Sequence, residues 1–372
     1  MSDAAPEPDR VEGAPHPRET GRLFGQPAAE AAFLAAFNAG RLHHGWLLTG
    51  PRGVGKATFA WRAARFLLAT PEADGGLFAP RPPATLDVDA HHPVSRRMVA
   101  LAEGRHFLMR RGTEERTGRL LTAISVDEVR RLKAFLQLSA PDGGRRTVIV
   151  DAAEDMTDAA ANAILKLLEE PPPKVTLFLV SHRPARLPPT IRSRCREIRL
   201  PPLAPADLAL ALDQAGVAAA DPTALAELAA GSVGEAVRLE TAGGVERYRE
   251  IVALFDRMPG LDRAAAIAMA DGLSGREAEA RFDLAMRLIE ILLARAARTG
   301  AVGAPPPEAA PGEAALLARL APDPPAGRAW AEAAQTALAR CRAGRAVNLD
   351  APALLLDMLL RLDALARQLA RR

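Results

Sequence analysis

Three short stretches of this chain are apolar without interruption: Gly45-Trp46-Leu47-Leu48-Thr49, Thr147-Val148-Ile149-Val150, and Thr176 to Val180. None alternates polar with apolar residues, so each predicts a strand buried on both faces, as in a parallel sheet covered by helices. Between them the spacing becomes helical. Lys56 to Ala69 is rich in Ala, Leu and aromatics at that period, and Ser125-Val126-Asp127-Glu128 forms a capping box opening a helix through Gln137. Ala159 to Glu170 predicts a further helix, stopped by Pro171-Pro172-Pro173. Residues 21–202 therefore read as an α/β domain in which strands and helices alternate.

After Pro201-Pro202 the strand pattern ends. Residues 203–243 predict a small helical unit, its Ala/Leu period broken at Gly216, Asp221-Pro222 and Gly231. Residues 245–372 predict an all-α domain with loops at Gly300 to Gly312 and at Pro322 to Gly327. The last helix carries Leu355, Leu359, Leu362 and Leu369 on one stripe, which favours core packing over an oligomer seam. Residues 1–20 hold no apolar core and are expected to be disordered. The stretch Pro71 to Leu86 reads as a Pro/Gly-rich insertion.

Composition narrows the class. A chain of 372 residues holds two or three domains, and 49% hydrophobic with 25% charged residues is ordinary for a soluble globular protein. The net charge of +3 permits contact with nucleic acid without arguing for it. Cys195 and Cys341 can build neither a disulfide framework nor a four-Cys metal site, so a reducing compartment is expected. The best membrane candidate, Leu284 to Ala297, is broken by Arg287, Glu290 and Arg295, and Met1 to Arg18 has no signal-peptide pattern. A cytoplasmic protein is expected.

The candidate chemistry sits directly after the first strand. Gly50-Pro51-Arg52-Gly53-Val54-Gly55-Lys56 follows the phosphate-loop pattern G-x-x-x-x-G-K-[ST] up to its last position. In that pattern backbone N–H groups wrap phosphates, the Lys reaches the β/γ-phosphates, and the hydroxyl ligates Mg²⁺. Here Ala57 stands where the hydroxyl belongs. Thr58 is one residue further on, and one helical step turns a side chain by about 100°, so Thr58 cannot simply take over the metal. Arg is the default cation of this chain, the lysines being Lys56, Lys133, Lys166 and Lys174, and a compact ammonium at the loop fits phosphate binding. Asp151, at the end of the second strand, is the candidate for the Mg²⁺ shell. The nucleotide-site candidates are thus Gly50, Gly53, Gly55, Lys56, Thr58 and Asp151. They leave ATP binding open: the loop favours it and Ala57 opposes it.

Further motifs carry a resemblance. Arg18 through Gly25-Gln26 and His43-His44-Gly45-Trp46 precede the loop. Ala161-Asn162-Ala163-Ile164-Leu165-Lys166-Leu167-Leu168-Glu169-Glu170-Pro171-Pro172 forms a helix-and-stop box. Ser181-His182-Arg183-Pro184 and Thr190-Ile191-Arg192-Ser193-Arg194-Cys195 follow it. Together these resemble the clamp-loader family of AAA+ proteins from bacterial DNA polymerase III and replication factor C, most closely the delta-prime branch, over roughly residues 18–240. The resemblance implies a P-loop domain, a helical lid and an all-α collar. It implies assembly with delta and gamma/tau subunits, and through them with the sliding clamp and primed DNA.

It also exposes departures. Ala152 stands where active relatives carry a catalytic Glu, and Gly234 stands where their lid supplies an Arg in a Gly-Ser-x-Arg pattern. Glu154 and Asp155 read as members of a solvated loop. Three losses therefore fall on the receiving side of the site, while Arg194 matches the arginine finger that reaches a neighbour's γ-phosphate. Cys195 reads as a packing residue. Relatives also carry a four-Cys zinc module after the P-loop helix, whereas residues 70–123 contain no Cys, so no structural zinc is expected and His91, His92 and His106 read as loop residues. The leading expectation is a clamp-loader subunit that donates Arg194 and hydrolyses ATP weakly or not at all. A gamma/tau-type ATPase motor and a stand-alone P-loop phosphotransferase remain as alternatives.

Overall fold

A computed structural model describes residues 7–71, 81–114, 117–137, 143–273, 275 and 278–371. The chain divides into two compact units, Met1–Ala218 with Gly231–Val237, and Ala219–Ala230 with Arg238–Arg372.

The first unit runs α1 (Pro27–Asn38), β1 (Gly45–Thr49), α2 (Lys56–Ala69), α3 (Pro93–Val99), β2 (His106–Arg110), α4 (Val126–Gln137) and β3 (Arg146–Asp151). It continues through α5 (Asp158–Glu169), β4 (Val175–Val180), the short α6 (Pro189–Arg192), β5 (Arg196–Arg199) and α7 (Pro205–Gln214). Among the described residues the strands form one five-stranded sheet in the order β2-β3-β4-β1-β5, every pair parallel. The three apolar runs are its three central strands, and every residue of β1 and β4 is buried. The register sets Asp151 opposite Val180 and Leu48 opposite Val180's other edge. The loop after β1, the end of β3 and the residue after β4 thus lie in one row at the carboxyl edge, where open parallel sheets bind ligands.

On one face Phe33, Trp46, Phe59 and Phe178 pack together, with ring centroids 5.1 to 6.0 Å apart. Each such pair adds about 0.5–1.5 kcal/mol beyond area burial. On the other face Ile164 and Leu168 of α5 and Leu132 of α4 cover Val148, Val150, Leu177 and Leu179.

The edges depart from the sequence expectation. Helix α3 and strand β2 follow the stretch read as an insertion and were not foreseen, nor was β5. Both edge strands are short and carry charge, His-Phe-Leu-Met-Arg and Arg-Glu-Ile-Arg, so neither makes an apolar run. Charged residues on an edge also discourage pairing with another chain. Most of the Pro/Gly-rich stretch, residues 72–80, lies outside the described residues.

The expectation of disorder over residues 1–20 is corrected for residues 7–20; residues 1–6 lie outside the described residues. His16 is fully buried, its Nε2 3.0 Å from Asp9 Oδ2, and its ring meets Trp61 edge-on at 6.1 Å. Arg110 pairs with Asp9 and Glu7, and Arg18 pairs with Glu7 at 2.6 Å while its Nε donates to Val99 O. The anchor is one histidine and a network of ion pairs. A search for apolar periodicity cannot see it.

Helix α8 (Pro222–Ala229) belongs to the second unit, and α9 (Val233–Thr241) begins in the first and ends in the second. The second unit then runs α10 (Gly244–Asp256), α11 (Arg263–Asp271), α12 (Ala278–Val302), α13 (Glu313–Leu320), α14 (Pro324–Ala346) and α15 (Ala351–Leu369). Two loop expectations shrink here. Helix α12 continues to Val302, past Gly300, and α14 already begins at Pro324, capped by the Asp323 side chain on Ala326 N. The glycines that suggested loops are instead the contact between these helices: a Cβ on Gly300 would lie 2.7 Å from Gly327 Cα. The Leu355, Leu359 and Leu362 stripe is buried within this unit, and Leu369 is half-buried. A buried carboxylate, Glu313, accepts from Tyr248 Oη at 2.5 Å, Arg295 Nε at 2.6 Å and Ala309 N at 2.7 Å. The whole is an α/β AAA+-type fold: a parallel sheet, a helical lid and a helical C-terminal region.

Candidate functional site

The phosphate loop spans from the end of β1 to the first turn of α2. Gly50 has φ +138°, and a Cβ there would lie 2.1 Å from Leu200 O. Gly53 has φ +80°, and its Cβ would lie 2.3 Å from Ser232 Oγ. Neither position admits a side chain. Gly55 is the left-handed residue from which α2 starts.

The loop's polar groups turn inward. Lys56 is 3% exposed, and its Nζ donates to Gly50 O at 2.8 Å and to Pro51 O. Burial pulls its pKa down to about 8, against the charges of Asp151 and Glu154, which favour the ammonium. The start of α9 closes the loop from the other side. Ser232 Oγ donates to Arg52 O at 2.8 Å and accepts from Glu235 N, and Gly234 N donates to Gly53 O at 3.2 Å. Gly234 lies where the resemblance puts a lid Arg, and its backbone N–H fastens the loop instead.

Ala57 and Thr58 are in the first turn of α2, both half-buried. Asp151 is buried at the end of β3, and its carboxyl is pushed up to about 7, first by burial, then by the negative charge of Asp9, with Lys56 opposing. Ala152 beside it is buried and offers no carboxylate. Glu154 corrects the expectation of a solvated loop. Its Oε1 accepts from His182 N at 2.8 Å and Arg183 N at 3.1 Å. Burial alone would raise its carboxyl, but these bonds, with its own N–H and Ser181, hold it below the usual carboxylate range. The next ring, His182, is driven to about 4 by burial and by the positive charges of Lys56 and Arg52, and is neutral at pH 7.

This arrangement provides the phosphate half of a nucleotide site and not the metal half. Glycine backbone and Lys56 are present, but the hydroxyl ligand is missing and Asp151 is half-protonated near neutrality. The phosphate loop is consistent with nucleotide binding in general, the hydroxyl ligand for Mg²⁺ is missing at Ala57, and no chemical step is assigned to a metal here. Among the described residues no group of three or more His, Cys, Asp or Glu could hold a metal ion. His92 caps α3 by accepting from Val94 N, and His106, in β2, is half-buried against Trp61 with Nδ1 2.9 Å from Thr147 Oγ1.

Arg194 stands apart from this buried cluster. It follows α6, half-exposed, with Nη2 2.8 Å from Glu169 Oε1 and Nη1 donating to Thr190 O at 3.0 Å. The neighbouring thiol of Cys195 is pushed up to about 12 by burial, which suits packing and removes it as a nucleophile. Three side chains here were given no such role by sequence reasoning: Glu169, Ser232 and His44, whose Nε2 lies 3.0 Å from Leu168 O. A signal for the first existed. Two carboxylates, Glu169 and Glu170, close α5 at the end where the helix dipole disfavours negative charge.

A family model described as DNA polymerase III, delta subunit, matches residues 25–204. The delta-prime subunit of DNA polymerase III from Pseudomonas aeruginosa is 38% identical over 152 residues, 41% of this chain and 41% of its own length. The corresponding subunit from Escherichia coli K12 is 33% identical over 168 residues, 44% of each chain. The gamma/tau subunit from Mycobacterium tuberculosis H37Rv is 30% identical over 187 residues, 48% of this chain and 28% of its own. The chain thus matches less than half the length of these relatives, and both subunit types are among them. Over residues 25–204, just under half of the chain, the segment that holds the parallel sheet, the phosphate loop and Ser193-Arg194-Cys195 is thus similar to the bacterial clamp-loader AAA+ proteins, in the group shared by delta-prime and gamma/tau subunits.

Proposed function

We infer that this chain is the delta-prime type of subunit: a fixed member of the clamp-loader ring that does not turn over ATP itself and supplies Arg194 to the ATP site of an adjacent gamma/tau subunit. The domain roles are a P-loop domain over 21–202, a lid over 203–243 and a collar over 245–372, assembled with delta to load the sliding clamp on primed DNA. One observation carries the reading. The groups that receive a nucleotide are missing or bonded inward at Ala57, Ala152 and Gly234, while Arg194 presents its guanidinium at the surface.

In this role Arg194 acts on a phosphate held by the neighbour. Its planar cation meets charge that grows on the γ-phosphoryl oxygens in the transition state, which binds it more tightly there than in the ground state. The polymerase activity of the holoenzyme lies outside this chain.

The test is ATP turnover by the isolated chain and by the reconstituted ring. Background turnover alone, with a ring whose rate depends on Arg194, is the expected result. Turnover near 1 s⁻¹ by the isolated chain, the range of working phosphoryl-transfer enzymes, would instead favour the gamma/tau motor. That second reading draws on the gamma/tau relatives, which match as large a share of this chain as the delta-prime ones do.

A further inference from the structure

We propose that Glu169 is the positioning residue of Arg194: the carboxylate at the end of α5 holds the guanidinium at a fixed place and angle on the surface. The proposal rests on the arginine-finger reading above and extends it to the residue that aims the finger.

The sequence places Glu169 against local preference. An α-helix ends with unpaired carbonyls and a partial negative charge, so the last turn favours Lys, Arg or His. Helix α5 ends in Glu169 and then Glu170, immediately before Pro171, which fixes the stop. A carboxylate at that place weakens the helix end unless a cation offsets it. Lys166 in the last turn supplies one cation to that end, and Arg194, 25 residues further along the chain, supplies the one paired with Glu169, its Nη2 2.8 Å from Oε1.

The two backbones are held close enough for this pair to form. A Cβ on Gly45 would lie 3.0 Å from Leu168 Cδ2, 3.3 Å from Cys195 Sγ and 3.5 Å from Arg194 O. The first residue of β1 therefore sits where α5 ends and the finger begins, and a larger side chain there would be tight. His44, just before it, ties its Nε2 to Leu168 O. Burial and the neighbouring His43, stacked at 4.3 Å, lower the pKa of His44, and the nitrogen facing the carbonyl oxygen is the N–H donor. Helix end, strand start and finger backbone form one mount.

The bonding pattern distinguishes holding from blocking. Arginine has five N–H donors. One on Nη1 goes to Thr190 O, with a long 3.5 Å approach to Ser193 Oγ, while Nη2 stands 2.8 Å from Glu169 Oε1 as an ion pair. Nε–H has no acceptor among the described residues. A phosphate can thus be met while Glu169 keeps its hold. The side chains of Arg194 and Glu169 are 36% and 47% exposed, so the pair is solvent-screened and contributes orientation more than binding strength.

The experiment is a double-mutant cycle in the reconstituted ring of full-length subunits, reading clamp-stimulated ATP turnover with ATP hydrolysis disabled at every site except the one facing this chain. Glu169→Ala is expected to lower kcat about two- to fivefold, the range an exposed pair can supply, with KM for ATP unchanged. Glu169→Asp should recover part of the loss, and Glu169→Gln should not. In an Arg194→Ala background Glu169→Ala should have no further effect. If Arg194→Ala lowers turnover and Glu169→Ala does not, or lowers it equally in both backgrounds, the positioning role is overturned and the finger stands. If Glu169→Ala raises turnover, the carboxylate restrains the finger, and the proposal is likewise overturned. If Arg194→Ala itself changes nothing, the finger reading fails first. Thermal unfolding of each variant separates these results from misfolding.

Discussion

The phosphate loop and the Arg194 edge belong to one compact unit and use opposite physical strategies. At the loop several polar groups are answered from within the same unit: Lys56 by Gly50 O and Pro51 O, Arg52 O by Ser232, Gly53 O by Gly234, and one oxygen of Glu154 by the His182 and Arg183 N–H groups. At the edge a cation is kept half-exposed with donors to spare, steadied by one carboxylate and one carbonyl. A buried polar group that loses its partner costs about 1–3 kcal/mol. These inward bonds hold the loop's lysine and carbonyls without calling on phosphates. An exposed cation contributes little to folding and keeps its interaction energy for a partner. A degenerate receiving site and an intact giving site can thus coexist on one domain.

The largest expected effect breaks the comparison at the edge. With only the facing ATP site active, Arg194→Ala should lower its turnover by roughly 10³–10⁵, measured as single-site hydrolysis. Arg194→Lys should be nearly as damaging, because an ammonium lacks the planar fork. The ring should still assemble by size-exclusion chromatography. A normal rate from the Ala variant would reduce Arg194 to a surface cation.

A pH series sharpens the contrast from the buried side. His182 has a folded pKa of about 4, below its unfolded value, so the unfolded chain binds the extra proton first. Its contribution is fully present above about 6.5 and is lost as pH falls towards 4. Asp151 has the opposite sign. Its folded pKa of about 7 lies above the unfolded value, so its contribution is greatest in acid and declines as pH rises from about 4 to 7. Between pH 4 and 6.5 the two oppose each other in the same site. Asp151→Asn should therefore steepen the loss of stability in acid, by at most about 4 kcal/mol, and His182→Asn should flatten or reverse it. Urea denaturation at several pH values reads both. Arg194→Ala should leave the profile unchanged, and a profile insensitive to Asp151 would show that its carboxyl is not buried as described.

Smaller effects follow at the lid start. Ser232→Ala removes the donor to Arg52 O and the acceptor for Glu235 N, and should cost about 1 kcal/mol of stability by chemical denaturation. Arg194→Ala, removing an exposed pair, should cost less than about 0.5 kcal/mol. Equal costs would erase the distinction between the two regions. The smallest change is expected from Lys56→Ala, which should alter ring turnover less than about twofold, with no sub-micromolar ATP binding lost in calorimetry. Loss of a tight, Lys56-dependent affinity would show that the loop still takes nucleotide.

Legibility followed the kind of interaction involved. Strands β1, β3 and β4 could be read because they are buried on both faces, and α2 because its apolar period begins at the loop lysine. Edge strands β2 and β5 could not, since an edge mixes charge with apolar residues. Residues 7–20 and Glu154 were misjudged for one reason. Each is held by a few specific polar contacts to residues far along the chain, such as Asp9 with Arg110 or Glu154 with His182, and composition carries no trace of such pairs. Gly300 and Gly327 read as breakers because loop glycines and helix-contact glycines look alike until two helices are placed together.

By itself the sequence determined the α/β class, the phosphate loop with Ala57 in place of its hydroxyl, the absence of Cys from residues 70–123, and the Ser193-Arg194-Cys195 segment. These are local, because residue type and spacing fix a strand, a loop or a missing functional group without reference to distant chain. Only the tertiary structure decided that Lys56 turns to the loop's own carbonyls, that Ser232 and Gly234 fasten that loop, and that Glu169 meets Arg194. These depend on hydrogen bonds and ion pairs across 5 to 181 residues of sequence, whose directions exist only once sheet and helices have packed.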